Sequence, residues 1–275
     1  MKIRALCAGA MLTLACTTPA VANHAWTING KQLHWARTAN PVKPTVDYKL
    51  DNNLWGPYLS PALAGWNKSN IATDPDVVEF ILGNPVSVDA NSCPGTAGRV
   101  TVCNYAYGAT GWLGVAVVEY DDVTGHIQFA SVKMNDTYFN MSTYNKPAWR
   151  ASVLCQEIGH TLGLSHQDTK NFNPDLKDIY GRQTCMDYTA KPDGNEWPNL
   201  HDYQQLASIY SHLDSITTTS TTSAVLNYPD RKPIYGNTPA DWGKAIAFGE
   251  DGRGLAFAKK IAANRSQVTF VRWVP

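Results

Sequence analysis

The run Cys155-Gln156-Glu157-Ile158-Gly159-His160-Thr161-Leu162-Gly163-Leu164-Ser165-His166 restricts the fold more than any other part of the chain. From Trp149 to Leu162, the apolar positions Val153, Leu154, Ile158 and Leu162 fall at helical spacing and predict a helix with one face toward a core. Gln156 and His160 stand one turn apart on a shared face, with Glu157 beside them. Gly163 tolerates the left-handed conformation that ends a helix cheaply, so the chain can turn back and bring His166 to the same point in space.

Catalytic zinc takes three protein ligands and keeps one position open for water, and a neighbouring carboxylate can accept that water's proton. Glu157 is placed for the base role. Downstream of the turn signal at Gly181 lies Cys185-Met186-Asp187-Tyr188. With that, the sequence resembles the metzincin metallopeptidases, whose pattern is His-Glu-x-x-His-x-x-Gly-x-x-His followed by a Met-turn. The nearest likeness is to matrixin-like catalytic domains, over roughly Asp47 to Leu213.

The resemblance implies an α+β catalytic domain with a twisted mixed sheet, an active-site helix and a C-terminal helix. It implies that His160 and His166 bind Zn2+, that Glu157 is the general base, and that Met186 forms the floor of the site. Tyr188 would ligate zinc or stabilise the oxyanion, although a packed core tyrosine is an equal reading. The runs Gly111 to Ala116 and Ile127 to Asn135 look like the two strands before the active-site helix. Family precedent makes Gly114 to Tyr120 the edge strand along which an extended protein or peptide substrate pairs.

The departure is Gln156, which stands where the family has its first zinc-binding histidine. An amide oxygen is a harder and weaker donor to zinc than imidazole. Three readings stay open: Gln156 ligates through that oxygen, a group such as Asp168, Tyr188 or a water completes the shell, or the site holds no metal. Two functions follow from them, a zinc-dependent endopeptidase or a pseudoprotease that serves as a secreted binding protein. No thiolate-on-zinc latency is expected, because no cysteine-switch segment precedes the domain.

The chain of 275 residues has six cysteines. Cys7 and Cys16 lie in an N-terminal stretch that reads as a secretory signal peptide over 1–22: Lys2 and Arg4, an apolar run, then Ala20-Val21-Ala22. Lipid modification at Cys16 is the competing reading. The remaining Cys93, Cys103, Cys155 and Cys185 suit an oxidising compartment, and secretion, extracellular or periplasmic, is the expected destination. Cys93 with Cys103 would span the Pro94-Gly95 turn. Cys155 points about 100° from Gln156 around the helix, away from the ligand face and toward Cys185 under the Met-turn, which favours a second pair.

Twenty-three basic and 23 acidic side chains balance, which argues against a nucleic-acid or anionic-membrane partner; a monomer is expected. Helices are predicted over 58–68, with Pro61 in the first turn, and over 200–213. Strands are predicted at 100–103, 114–120 and 126–134. Residues 23–214 would form the catalytic domain, the Ser/Thr-rich 215–223 a linker, and 224–275 a small β-meander extension with strands at 244–248, 255–261 and 267–273. His201 and His212 read as surface or capping residues, and His24, His34 and His126 show no partner in sequence.

Overall fold

Long β-branched runs dictate the centre of the molecule: the strands at Val100, Val115 and Val132 are apolar on both faces, which requires cover on both sides of a sheet. In the computed structural model, residues 24–51, 53–68, 76–170, 177–178, 180–219 and 236–275 are described. The proposed signal peptide and residues 220–223 of the proposed linker lie outside them. The elements run β1 (Thr27–Ile28), β2 (Lys31–Gln32), β3 (Thr45–Lys49), α1 (Gly56–Trp66), β4 (Ile81–Pro85), β5 (Arg99–Tyr105), β6 (Trp112–Asp121) and β7 (Ile127–Asn135). They continue with α2 (Asp136–Phe139), α3 (Pro147–His160), α4 (Leu200–Ile209), α5 (Pro239–Trp242), β8 (Lys244–Phe248), β9 (Gly254–Ala262) and β10 (Arg265–Trp273).

Eight strands form one mixed sheet in the order β4-β3-β5-β7-β6-β10-β9-β8. The half from β4 to β7 is parallel, and the pairings from β7 through β6 and β10 to β8 are antiparallel. One face packs on α1 and α3 through Val100, Val102, Ala116, Val118, Val132, Val153, Ile158 and Phe270. The other is covered by Trp112, Val115, Val117, Trp242, Leu255, Phe257, Val271 and Trp273. Among the described residues no helix is long and apolar enough to cross a membrane.

Three expectations are corrected. The strand Gly114 to Tyr120 is not an edge: β6 pairs with β7 on one side and, from Trp112 to Asp121, with β10 on the other. The predicted meander does form, but as part of the main sheet and not as an appendage at 224–275, because β10 supplies alternate apolar residues to both cores. Pro61 lies inside α1; the helix starts earlier, at Gly56, and Pro57 occupies the first turn, where a missing N–H costs nothing.

The described part of the Ser/Thr run is docked against the body. Thr218 and Ala36 exchange two hydrogen bonds, each 3.0 Å, through the Thr218 backbone N–H and the Ala36 N–H to Thr218 Oγ1. Cys93–Cys103 and Cys155–Cys185 are disulfides, both with Cα atoms 5.9 Å apart.

Candidate metal centre

The predicted helix forms as α3, and Thr161 to Gly163 close it with a turn in which Gly163 has φ +91°. Beyond the turn, the Leu164 carbonyl accepts a hydrogen bond from His160 Nδ1 at 2.8 Å. That bond fixes the proton on Nδ1 and leaves Nε2 as the bare lone pair. The rings of His160 and His166 meet edge to face, centroids 4.7 Å apart, and the Tyr188 ring is 5.7 Å from His166.

Gln156 is fully buried. Its Nε2 donates to the carbonyls of Cys185, at 2.8 Å, and Asp187, at 3.0 Å. Two acceptors hold the amide nitrogen, so the atom left over is the oxygen. The Cys155–Cys185 disulfide holds the same two segments together one residue away. Met186 packs under α3 at Gly159, where an added Cβ would sit 2.5 Å from the Met186 sulfur and from Trp66. Gly114 does the same for Glu157: a Cβ there would lie 2.8 Å from Glu157 Oε1.

The sequence-predicted residues therefore converge. Gln156 Oε1, His160 Nε2 and His166 Nε2 are buried without a hydrogen-bond partner, and the Glu157 carboxyl and Tyr188 hydroxyl have no side-chain partner, only the backbone of Ala116 and Trp273 beside them. Buried polar atoms are nearly always paired, because each orphan costs about 1–3 kcal/mol. Burial raises the Glu157 carboxyl well above the usual range, although Arg272 pulls it the other way. Burial pushes His160 down to about 3 and His166 well below the ordinary imidazole value. Two imidazole nitrogens and an amide oxygen, the weakest donor of the three, with a carboxyl group beside them, are a set that can hold zinc. Asp168, the other residue considered for the shell, pairs with the Met-turn through its backbone, its carbonyl accepting from Tyr188 N–H at 2.9 Å, while its side-chain Oδ1 accepts from Lys170 N–H and Oδ2 is buried without a partner.

Two residues of β10 were not anticipated. Phe270 stacks face to face on His160, with centroids 4.2 Å apart and an interplanar angle of 5°. Arg272 is buried, donates to the carbonyls of Asp187 (2.9 Å) and Thr189, and lies 4.9 Å over the Tyr188 ring. Burial lowers its guanidinium to about 10, against the opposing pull of Tyr188, Glu157 and Asp187. An arginine inside the apolar run Gln267 to Trp273 was the available signal, since an inward-pointing cation on a strand must find buried acceptors.

No family model matches the chain, and no curated protein matches it. Among the solved structures that match is high choriolytic enzyme 1, a hatching-enzyme zinc protease from the medaka fish Oryzias latipes. It is 12% identical, the match covers 68% of this chain and 98% of that one, and the TM-score is 0.35. The zinc-protease activity in that description is the hatching enzyme's own.

Proposed function

We propose that this chain is a zinc-dependent endopeptidase whose cleft is closed, in the form described, by its own C-terminal strand. The observation that carries the reading is the cluster of orphaned buried polar atoms from Gln156, His160 and His166, with Glu157 and Tyr188 beside them. His160 Nε2, His166 Nε2 and Gln156 Oε1 would hold the metal. Bound zinc supplies Lewis acidity that lowers the pKa of water and polarises a peptide carbonyl.

The chain's own groups supply the rest. Glu157 takes the proton from the attacking water and returns it to the leaving amine. The Tyr188 hydroxyl donates toward the oxygen on which negative charge develops. Arg272 holds the carbonyls on either side of Tyr188 and so positions its ring. Gly114 leaves the room beside the strand that the Glu157 carboxylate needs.

A second reading is favoured by a specific observation: Glu157 and His160 are fully buried, with Phe270 of β10 stacked on His160, as in a fold kept for binding and not for turnover. Zinc affinity and cleavage of casein by the full chain, with Glu157→Ala and Gln156→His beside it, separate the two. The peptidase reading expects Glu157→Ala to lose about 10²–10⁴-fold in rate, the usual worth of a general base, while keeping its zinc. It also expects Gln156→His to bind zinc more tightly. A wild type and a Gln156→His variant that both stay inert even after a cut within 215–223 frees β10 would leave the binding protein.

A further inference from the structure

We infer that His34, His126, His212 and Asp214 form a second, structural zinc site, separate from the centre above and resting on none of its residues. The three imidazoles come from parts of the chain far apart in sequence. They converge on a single carboxylate oxygen: Asp214 Oδ1 lies 3.2 Å from His126 Nε2, 3.5 Å from His34 Nε2 and 3.6 Å from His212 Nε2. Zinc held tetrahedrally at 2.0–2.1 Å requires its donors to be roughly 3.3–3.4 Å from one another. The donor atoms of His34, His212 and Asp214 all fall within 4.8 Å of one another, and His126 joins them through its Nε2 hydrogen bond to Asp214 Oδ1.

The backbone builds this convergence. His34 forms a bridge with His126, its N–H bonding the Gly125 carbonyl at 3.2 Å and its carbonyl the Ile127 N–H at 2.7 Å. That bridge sets two of the imidazoles side by side, with centroids 4.9 Å apart. Asp214 is tied by its other carboxylate oxygen to the Arg37 N–H at 3.0 Å, and by its own N–H to the Arg37 carbonyl at 2.8 Å. The His212 carbonyl accepts from Arg37 Nη1 at 2.8 Å. Oδ1 is thus left facing the rings.

An independent observation points to a cation. His34 is 4% exposed, and its Nε2 has no hydrogen-bond partner, while its Nδ1 contacts the Gln32 carbonyl at 2.9 Å. That carbonyl can only accept, so Nδ1 bears a proton, and in the neutral ring Nε2 turns its lone pair toward a carboxylate oxygen. Two such acceptors repel unless a positive centre, a second proton on the ring or a metal ion, lies between them. Three imidazole nitrogens with one carboxylate supply the four N/O donors that a closed tetrahedral zinc site takes. His212, half exposed at the rim of an open cleft of about 660 Å³, gives the ion a way in. The ion would pin the N-terminal segment, the β6–β7 hairpin and the segment after α4 to one another.

Zinc per folded monomer tests the assignment, measured by elemental analysis after zinc loading and gel filtration. The full chain is compared with His212→Ala and, separately, His126→Gln. Each variant should hold one equivalent less than wild type, whether or not the Glu157 centre is itself filled. Cobalt-loaded wild type should also show a tetrahedral visible band that both variants lack. The Glu157-dependent peptidase rate should survive in His212→Ala, which keeps the two sites distinguishable. Equal metal content in wild type and either folded variant would overturn the site, as would a cobalt spectrum unchanged by both substitutions.

Discussion

Single side chains here carry chemistry that their neighbours force on them. Lys133 is buried on β7 with its Nζ 3.0 Å from Asn237 Oδ1 and 5.8 Å from the Tyr107 ring centroid; Asp241 and Asp89 are the charges that favour its ammonium. Burial outweighs them and pushes the amine from 10.5 down to about 7. Between those two values the unfolded chain binds a proton that the folded chain does not, so folding stability must rise with pH across the window. Below about pH 7 both states are protonated and the cost of the buried charge is constant. Urea midpoints measured from pH 6 to 10 should therefore climb more steeply for wild type than for Lys133→Met. Parallel profiles would show that the amine stays charged throughout.

At the scale of elements, the end of α3 decides where His166 goes. Gly163 sits at φ +91°, and a Cβ there would strike the Leu33 carbonyl oxygen. Gly163→Ala should destabilise the fold by roughly 1–3 kcal/mol from backbone strain alone, and by more once the Leu33 collision is added. It should also weaken zinc binding through displaced His166; thermal unfolding and a zinc-chelator competition would check both. This element was legible in advance, because helical period, the Gly163 stop and the histidine spacing are local. The strands β5, β6 and β7 were legible for the same reason.

What sequence concealed were partners set by long-range pairing. Strand β3 was missed, since Thr45 to Lys49 shows only weak alternation and owes its strand state to β4 and β5. The helix predicted to reach Leu213 ends at Ile209, and the release of that last turn is what frees His212 and Asp214 to meet His34 and His126. No periodicity in either segment announces that meeting. Gln156 was ambiguous in sequence because an amide can donate or accept, and only the two carbonyls facing its nitrogen decide which atom is left over.

For the whole molecule, the consequential fact is that the last strand lies beside β6 in the interior of the sheet, next to the candidate site. A peptide pairing with β6 would have to displace β10, which matches β6 from Trp112 to Asp121 and sets Phe270 on the His160 ring. Covalent attachment makes that occupation effective, since a strand carried by the same chain acts at a local concentration on the order of millimolar. Cutting that attachment removes the advantage without touching a single side chain of the site. A full chain carrying an inserted protease recognition sequence within 215–223 should thus gain peptidase activity on cleavage, by about tenfold or more at micromolar protein. Glu157→Ala should abolish the gain. Hydrogen exchange of the β10 amides, followed in the same samples, supplies the control. Exchange that accelerates together with activity means that β10 is the gate. If β10 exchanges freely after the cut while casein stays intact, the strand covers a site with no turnover to restrain, and the binding-protein reading takes its place.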